Sequence, residues 1–383
     1  MRIGIIGAGH AGVEAARVAS EKGASVVVFS GEQVLPYYRP RLVALAFGQV
    51  DFSAIQIKPL SWYEQAKIEL RLNTPVLAID PLKKQVSTAS GTEPFDGLIM
   101  ASGGVPVMPD FSRDGGEFVM PLWNITHALE IRKRIRKGSR LVIVGGGILG
   151  IEAALHAIEA GMEVCIIELM NRLMPIQFGS RASCALLRRL EEKGIRVLLG
   201  SGISGAIRKA DKVTLELANG ESCDAELCLV SIGARPDKAL AASAKLPCER
   251  GMIVDEFLKT PVPGCYAAGD VIQFEGITRC SMKESTAQGK LAALNLISSI
   301  EGTTGQRYVP ETIPLSFRSK DFEIYSIGET ASPGVEEHLL DGSTETLIRA
   351  LVIKEGVPVG VQMVGTREGF DSYAAEVKKA RKN

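Results

Sequence analysis

Two apolar runs and the turn between them dominate the start of the chain. Arg2–Ile6 is apolar and breaks into GAGHAG, a stretch with helical apolar periodicity follows, and Ser25–Phe29 is apolar again. This order predicts strand, tight turn, helix and strand. The same order returns in Arg140–Val144, GGGILG, an expected helix over Ile151–Ala160 and an expected strand over Glu163–Ile167. The pattern therefore predicts two β-α-β units in one chain.

The first glycine-rich turn has the G-x-G-x-x-G spacing of dinucleotide-binding sites. Gly7 permits the tight turn, Gly9 lets the backbone approach a pyrophosphate, and Gly12 lets the helix pack close to its strand. Ala8 and His10 complete this loop. The pyrophosphate is expected on unpaired N–H groups at the positive end of the helix dipole.

The second turn repeats this spacing. Gly145, Gly147 and Gly150 take the three glycine positions, and Ile148 lies between them. Two such units imply two dinucleotides. Glu168 ends the strand that follows, where an acid can accept hydrogen bonds from an adenosine ribose. A carboxylate there predicts NADH rather than NADPH, because it would repel the 2′-phosphate. The alternative is that Glu168 is an exposed residue at a strand end.

Further strands and helices continue the pattern. The expected strands are Val76–Ile79, Gln85–Thr88, Gly97–Ala101, Arg196–Leu199 and Leu227–Ile232, with a hairpin turn at Asn219 and Gly220. The expected helices are 53–72, Ile125–Arg136, Arg181–Lys193 and Ser285–Ser299. Residues 306–383 alternate short strands and end in a basic helix with Lys378, Lys379, Arg381 and Lys382. Such a chain is expected to be an α/β protein with two Rossmann-like domains and a small α+β C-terminal domain.

Composition narrows the function classes. A chain of 383 residues with 46% hydrophobic and 23% charged residues predicts two or three globular domains. The formal net charge is zero, which argues against a nucleic-acid binder that neutralises phosphates. No apolar run has the length needed to cross a membrane, and nothing reads as a targeting signal. A cytoplasmic protein is expected.

Two loops add candidate ligand contacts. The stretch LPYYRPRL contains Pro36 and Pro40, which predict that no regular element forms there. Arg39 beside two tyrosines is suited to clamping a phosphate or lying against a ring system, although an exposed surface loop is the alternative. The small residues that include Ala101 and Gly103 end a strand, where backbone is expected close to a ligand.

The seven cysteines predict reduced thiols. Their odd number and irregular spacing do not form a disulfide framework. Cys223 and Cys228 could form a redox disulfide, but Cys228 lies in an apolar run, so burial as a small hydrophobic residue is favoured. The four histidines show no metal-ligand spacing, so no metal site is expected.

Five motifs together resemble the two-dinucleotide-binding flavoproteins, which are the pyridine nucleotide-disulfide oxidoreductase family. These are GAGHAG, ASGGVP, GGGILGIE, SIGARPD (which contains Gly233) and CYAAGDV, in the order and spacing of that family. Within the family, LPYYRPRL is similar to the rubredoxin reductase branch, together with the ferredoxin reductases and the flavoprotein part of assimilatory nitrite reductase. The resemblance implies FAD on the first unit and NADH on the second. It implies an FAD domain over 1–112 and 238–305, an NADH domain over 113–237 and a C-terminal domain over 306–383.

The resemblance also implies site residues beyond the glycines. It places Glu32 or Gly31 at the FAD ribose, Arg39 beside the cofactor, Val76 at the adenine, Asp270 at the ribityl or pyrophosphate side, Met282 at the flavin ring and Arg318 near a flavin carbonyl. The family normally has glutamate where this chain has Ser30, which leaves the choice between Glu32 and Gly31 open. Glu152 follows the second glycine loop and is expected to orient the nicotinamide, or to serve the helix dipole as an N-terminal acid.

The position of the cysteines bears on the reaction. Disulfide reductases of this family keep a redox sulfur in or just after the first FAD unit, whereas residues 1–164 contain no cysteine here. We therefore predict an enzyme that takes hydride from NADH onto FAD and releases electrons singly to a small redox protein, rubredoxin or ferredoxin. The alternatives are an electron donor of the nitrite reductase type, an NADH oxidase that reduces oxygen, and a flavoprotein that signals through an NADH-dependent change of shape.

Overall fold

The computed structural model describes residues 1–320 and 322–380. The chain folds into two compact units. The first unit is Met1–Arg41, Val50–Pro106 and Ala234–Glu311, and the second is Leu42–Gln49, Val107–Gly233 and Thr312–Asn383. The division into FAD, NADH and C-terminal domains at the boundaries given above stays a prediction. No helix within the described residues is both long and apolar enough to cross a membrane.

The described residues form the following strands and helices. The strands are β1 (Arg2–Ile6), β2 (Ser25–Phe29), β3 (Ile68–Arg71), β4 (Ala78–Asp80), β5 (Gln85–Thr88), β6 (Gly91–Pro94), β7 (Gly97–Met100), β8 (Gly104–Pro106), β9 (Val119–Pro121), β10 (Arg140–Val144), β11 (Glu163–Ile167), β12 (Arg196–Leu198), β13 (Ile203–Arg208), β14 (Val213–Leu217), β15 (Ser222–Ala225), β16 (Leu227–Val230), β17 (Ala234–Pro236), β18 (Met252–Ile253), β19 (Cys265–Ala267), β20 (Ile272–Gln273), β21 (Leu315–Arg318), β22 (Glu323–Gly328), β23 (Glu336–Leu339), β24 (Ile348–Lys354) and β25 (Val357–Val364). The helices are α1 (His10–Glu21), α2 (Leu42–Ala46), α3 (Leu60–Gln65), α4 (Phe111–Asp114), α5 (Ile125–Arg134), α6 (Ile148–Glu159), α7 (Ser180–Glu192), α8 (Ala239–Ser243), α9 (Met282–Glu301) and α10 (Phe370–Ala380).

A five-stranded parallel sheet forms the centre of the first unit. Its order is β19, β7, β1, β2, β3, with β1 in the middle. Helix α9 packs against α1 at close range: a Cβ atom added to Gly289 would lie 2.1 Å from the carbonyl oxygen of Ala11. This approach places Gly289 of α9 against Ala11 in the first glycine loop. The three-stranded meander β4, β5, β6 and the antiparallel pair β8 and β17 complete the sheets near this core.

The second unit repeats this arrangement. Its parallel sheet has the order β9, β16, β10, β11, β12, again with the strand before the glycine loop in the middle. The meander β13, β14, β15 takes the place of the first one, and Asn219 and Gly220 form the turn of its second hairpin. The predicted α/β class with two Rossmann-like folds is therefore confirmed.

The C-terminal part of the second unit is an antiparallel sheet with one helix against it. The strand order is β21, β22, β25, β24, β23. Tyr325, Val361 and Met363 form a buried cluster with Phe370 and Val377 of α10. This is the predicted α+β segment. Helix α10 includes the predicted basic residues Lys378 and Lys379, whereas Arg381 and Lys382 lie outside the described residues.

Three local predictions were wrong. The stretch 53–72 is not one helix, because Lys67 adopts a φ of +54° that ends α3, and Ile68–Arg71 pairs with β2 as a parallel strand. The loop around Pro40 contains one turn of 3-10 helix, since a proline is tolerated in a first helical turn. Val76 lies outside any strand, because the ladder with β5 begins at Ala78.

Candidate cofactor and coenzyme sites

The first glycine loop is shaped by its own backbone at two glycines and open at the third. Gly7 has a φ of +106°, and a Cβ atom added there would lie 2.2 Å from the carbonyl oxygen of Ala101. A Cβ atom added to Gly12 would lie 1.9 Å from the carbonyl oxygen of Gly7. A Cβ atom added to Gly9 would meet no atom within 4 Å. The space beside Gly9, at the N-terminus of α1, therefore fits a pyrophosphate.

Asp270 lies at the same end of the sheet, directly after the tight turn at Gly269. Ser285 Oγ donates a hydrogen bond to Asp270 Oδ1 at 2.9 Å. Burial raises the pKa of this carboxyl, against the opposing effects of the Ser285 hydrogen bond and the positive charge of Arg39. Arg39 and Asp270 are thus within electrostatic range of one another, and their contacts with FAD stay predictions.

The positive charge of Arg39 also acts on His10, which belongs to the first glycine loop. Burial, followed by the positive charge of Arg39, lowers its pKa to about 4, so the imidazole is neutral near pH 7. Its Nε2 atom is buried and has no hydrogen-bond partner among the described residues. The ring lies 5.2 Å from the ring of Tyr38. A buried polar atom without a partner is rare in folded proteins, and a bound cofactor would provide one.

The acid that follows β2 is held by the loop that contains Arg39. Tyr37 donates its hydroxyl hydrogen to Glu32 Oε2 at 2.7 Å, and Arg39 Nη2 lies 3.9 Å from Glu32 Oε1. Ser30, which replaces the usual family glutamate, is buried and accepts a hydrogen bond from the Glu32 amide at 3.2 Å. A side chain at Gly31 would meet only Pro75, at 3.8 Å. Whether Glu32 or Gly31 contacts the ribose stays a prediction.

The other FAD residues implied by the resemblance are distributed as follows. Gly103 has a φ of +78° and open space on its Cβ side, whereas Val76 is partly buried against the core of the first unit. Met282 is the first residue of α9 and is 38% exposed. Arg318 belongs to the second unit, and its exposed guanidinium lies 3.8 Å from the Glu323 carboxylate. Their contacts with FAD stay predictions.

Gln288, which the sequence pattern did not indicate, holds the turn before Asp270 and belongs to a buried hydrogen-bonded network. Gln288 Oε1 accepts a hydrogen bond from the Gly269 amide at 2.8 Å, and Gln288 Nε2 donates to the Tyr308 hydroxyl at 2.8 Å. Tyr308 in turn donates to Glu284. A polar stripe on the buried face of α9 is the signal that could have identified this network, because buried polar side chains are kept only where they are hydrogen-bonded.

The second glycine loop has the same geometry as the first. Gly145 has a φ of +109°, and an added Cβ atom would lie 2.3 Å from the Ser231 carbonyl oxygen. An added Cβ atom at Gly150 would lie 2.3 Å from the Gly145 carbonyl oxygen, whereas one at Gly147 would meet nothing within 4 Å. Ile148 begins α6. Beyond β16, Gly233 also has open space on its Cβ side. The second glycine loop therefore fits a pyrophosphate, as the first one does.

Glu168 is buried, so its interpretation as an exposed residue at a strand end was wrong. Its Oε2 accepts a hydrogen bond from the Gly146 amide and its Oε1 accepts one from the Met170 amide, both at 2.7 Å. The carboxylate therefore joins the end of β11 to the second glycine loop. Each carboxylate oxygen has a second lone pair, which a ribose hydroxyl can use.

Glu152 lies in α6 beyond its first turn, which contains no acidic residue. A role in stabilising the helix dipole is therefore not supported, because that effect is confined to the first turn. Burial raises the pKa of the carboxyl to about 7. Glu152 is thus suited to holding or releasing a proton near neutral pH, and its contact with the nicotinamide stays a prediction.

All seven cysteines are free thiols. Cys228 is fully buried in the core of the second unit, and Cys165 and Cys223 are partly buried against the same core. Burial raises the pKa of all three, to about 11 for Cys165. Cys280 is an exposed residue, yet partial burial of its thiol and then the nearby charge of Asp270 raise its pKa to about 11. Thiols with raised pKa are poor nucleophiles at neutral pH.

Comparison with known proteins decides the family. Residues 1–290 match the family described as pyridine nucleotide-disulphide oxidoreductase. The chain belongs to this family. It is 33% identical to the rubredoxin-NAD(+) reductase of Ectopseudomonas oleovorans over 78% of this chain and 76% of that protein. It is 28% identical to the nitrite reductase [NAD(P)H] of Bacillus subtilis (strain 168) over 85% of this chain, but this match spans only 40% of that protein.

A solved structure extends the likeness over almost the whole chain. The ferredoxin reductase from Rhodopseudomonas palustris superimposes with a TM-score of 0.85 at 26% identity, over 95% of this chain and 91% of that one. As a member of this family, the protein is an NADH-dependent oxidoreductase that uses FAD. The two glycine loops described above fit the two dinucleotides.

Proposed function

We propose that this enzyme takes electrons from NADH and passes them singly to a small electron-transfer protein, with rubredoxin as the first candidate and ferredoxin as the second. The observation that carries the proposal is the absence of cysteine from residues 1–164, which include the first glycine loop and the loop around Arg39. The similarity to a rubredoxin-NAD(+) reductase and to a ferredoxin reductase supports the same acceptor class. A thiol relay next to the first glycine loop is therefore not part of the proposal.

In the first unit, the protein's task is to bind and orient the cofactor. FAD, when bound, supplies the ability to accept a hydride and return electrons one at a time. The amides at the open side of Gly9 would hold its pyrophosphate, and Asp270 would accept hydrogen bonds from its hydroxyl groups. His10 is neutral near pH 7 and adds no charge at this position. The guanidinium of Arg39 would therefore supply the positive charge that balances the FAD pyrophosphate.

In the second unit, the residues would orient NADH. The amides beside Gly147 would hold its pyrophosphate, and Glu168 would accept hydrogen bonds from the 2′- and 3′-hydroxyls of its adenosine ribose. Glu152 would contact the nicotinamide amide group, as an acceptor when ionised and as a donor when protonated. Correct alignment is the main contribution that such residues make to hydride transfer.

An anaerobic titration tests the proposal. We expect NADH to bleach the flavin with about one equivalent per FAD, because no second electron pair is needed to reduce a disulfide. Added rubredoxin or ferredoxin should then restore the flavin colour and accelerate steady-state NADH oxidation. A requirement for two NADH equivalents per FAD would contradict the proposal.

The similarity to nitrite reductase favours a second candidate, in which this chain donates electrons for nitrite reduction. In a third candidate function, the enzyme is an NADH oxidase that reduces oxygen directly. Steady-state rates with oxygen alone, with a small redox protein, and with a separately supplied nitrite-reducing module distinguish the three acceptors.

A further inference from the structure

The segment 169–179, here called the coenzyme loop, follows Glu168 and is joined to the second glycine loop. The Met174 amide donates to the Gly146 carbonyl oxygen at 3.0 Å, while Glu168 accepts from the Gly146 amide. Leu173 also packs over this glycine, since a Cβ atom added to Gly146 would lie 2.5 Å from Leu173 Cδ2. A displacement of the coenzyme loop would therefore also displace the backbone proposed to hold the NADH pyrophosphate.

The far end of the coenzyme loop is held by the C-terminal sheet. Gln362 Oε1 accepts a hydrogen bond from the Gly179 amide at 2.8 Å. Ser326 Oγ and Thr330 Oγ1 donate to the Gln177 carbonyl oxygen at 2.8 and 2.6 Å. Ser326 and Gln362 are direct register partners on β22 and β25, so their side chains lie on one face of the sheet. Gln362 has no solvent exposure, and both hydroxyl residues are buried.

Glu337 of β23 completes this contact. Gln362 Nε2 donates to Glu337 Oε1, and the Arg181 amide donates to Glu337 Oε2 at 3.3 Å. The carboxylate therefore lies at the N-terminus of α7, where the helix dipole stabilises negative charge. A Cβ atom added to Gly179 would lie 2.5 Å from the Glu337 carboxyl group, so the glycine permits this close approach.

The outer surface of the coenzyme loop is apolar. Leu169, Met170 and Ile176 are exposed by 72%, 50% and 79%. Exposed apolar side chains directly after a ribose-binding acid are suited to covering an adenine ring. The inner side of the loop is fixed by hydrogen bonds at both ends, so this apolar surface is held in one place.

We propose that Gln362 and Glu337 are positioning residues for NADH, which act by fixing the coenzyme loop and, through it, Glu168 and the second glycine loop. This inference rests on the proposed role of Glu168 at the NADH ribose. It gives the C-terminal sheet a role in coenzyme affinity, in addition to any role at the acceptor.

The direction of the hydrogen bond from Gln362 to Glu337 provides a sharp test. In wild type, one amide group donates to one carboxylate. Gln362→Glu keeps an acceptor for the Gly179 amide but places two carboxylates against each other. The double variant Glu337→Gln/Gln362→Glu exchanges the two groups, so that an amide again donates to a carboxylate and every backbone N–H keeps an acceptor.

Isothermal titration calorimetry on the FAD-loaded protein would measure the affinity for tetrahydro-NAD, a coenzyme analogue that cannot reduce the flavin. We expect Gln362→Glu to weaken binding about tenfold, with the FAD content unchanged. The double variant should return to within about threefold of wild type. In steady state, KM for NADH should rise in the single variant while kcat stays near the wild-type value. Should Gln362→Glu not fold, Glu337→Gln is a milder change. For this variant we expect the affinity for the analogue to fall by between about threefold and about tenfold.

Val361→Ala is the matched control. Val361 is the neighbouring buried residue on β25, and it faces α10 instead of the coenzyme loop. It should lower the melting temperature without changing the affinity for the analogue. Wild-type affinity in Gln362→Glu and Glu337→Gln, or an equal loss in Val361→Ala, would overturn this inference alone. Failure of the wild-type protein to bind the analogue would overturn the proposed function as well.

Discussion

The two Rossmann-like folds of this protein are alike in backbone and different in the acid that follows the second strand. Gly7 and Gly145 have φ values of +106° and +109° in the left-handed region, and each is crowded by a carbonyl oxygen beyond the neighbouring strand. Gly9 and Gly147 both face open space. We propose that the shared features serve the pyrophosphate, which is common to FAD and NADH.

The difference lies in how the acid is held. Glu168 is hydrogen-bonded directly to the second glycine loop, so the acid and the loop form one hydrogen-bonded group. Glu32 is held by Tyr37 and Arg39 from a separate loop, and the buried Ser30 occupies the usual acidic position. A change at Glu168 should therefore affect both backbone and coenzyme, whereas a change at Glu32 should affect FAD alone.

The largest expected effects come from blocking the open glycines one at a time. Gly9→Val should yield largely colourless protein, because its side chain would occupy the space for the FAD pyrophosphate. Gly147→Val should keep the yellow colour but lose flavin reduction by NADH by about a hundredfold or more. Flavin absorbance and stopped-flow reduction measure the two outcomes. If both variants lost the same ligand, the assignment of one dinucleotide to each unit would be wrong.

Substitutions of Glu168 and Glu32 should have smaller effects, which differ between the two residues. Glu168→Gln replaces one acceptor oxygen by an amide that faces a backbone N–H, so it should weaken NADH binding about tenfold or more and lower the unfolding free energy by about 1–3 kcal/mol. Glu32→Gln should leave NADH affinity unchanged. Half-saturation values for NADH and NADPH, with chemical denaturation, check this. A wild type that uses NADH and NADPH equally would show that Glu168 does not select the coenzyme.

Glu152 differs in environment from Glu14, which takes the same place as fifth residue of the first unit's helix and forms a salt bridge with Arg17. Because burial raises the pKa of Glu152 to about 7, the folded protein favours the protonated carboxyl. Its contribution to stability is complete below the unfolded pKa and is lost as pH rises through the folded pKa of about 7. Glu152→Gln should flatten a several-fold change in flavin reduction rate around neutral pH. A profile identical to wild type would show that this carboxyl does not touch the coenzyme.

The smallest expected effect concerns the thiols. Cys223→Ala, Cys228→Ala and Cys280→Ser should each leave NADH oxidation with a small redox protein within about twofold of wild type, since thiols with raised pKa are poor nucleophiles. Steady-state rates and the NADH equivalents taken up per FAD provide the measurement. Loss of turnover in any one variant would favour a thiol route for the electrons, and the position of that cysteine would show which unit contains it.

Much of the fold could be predicted because it depends on short-range patterns. The bounds of β1, β2, β10 and β11 agree with the apolar runs residue for residue, since strands buried on both faces read as continuous apolar stretches. The stretch around Trp62 was mistaken for a long helix, because a short helix followed by a strand gives an ambiguous pattern over so few residues. Pairing with β2 decided it.

The sequence by itself determined the two glycine loops, the class of fold and the family, because each rests on residues within about one β-α-β unit. Only the tertiary structure decided which groups distant in sequence lie close together. Asp270 lies within electrostatic range of Arg39, and Gln362 accepts a hydrogen bond from the amide of Gly179, 183 residues away. Such contacts depend on how sheets and helices pack, and no local pattern of polar and apolar residues encodes the partner of a single buried amide.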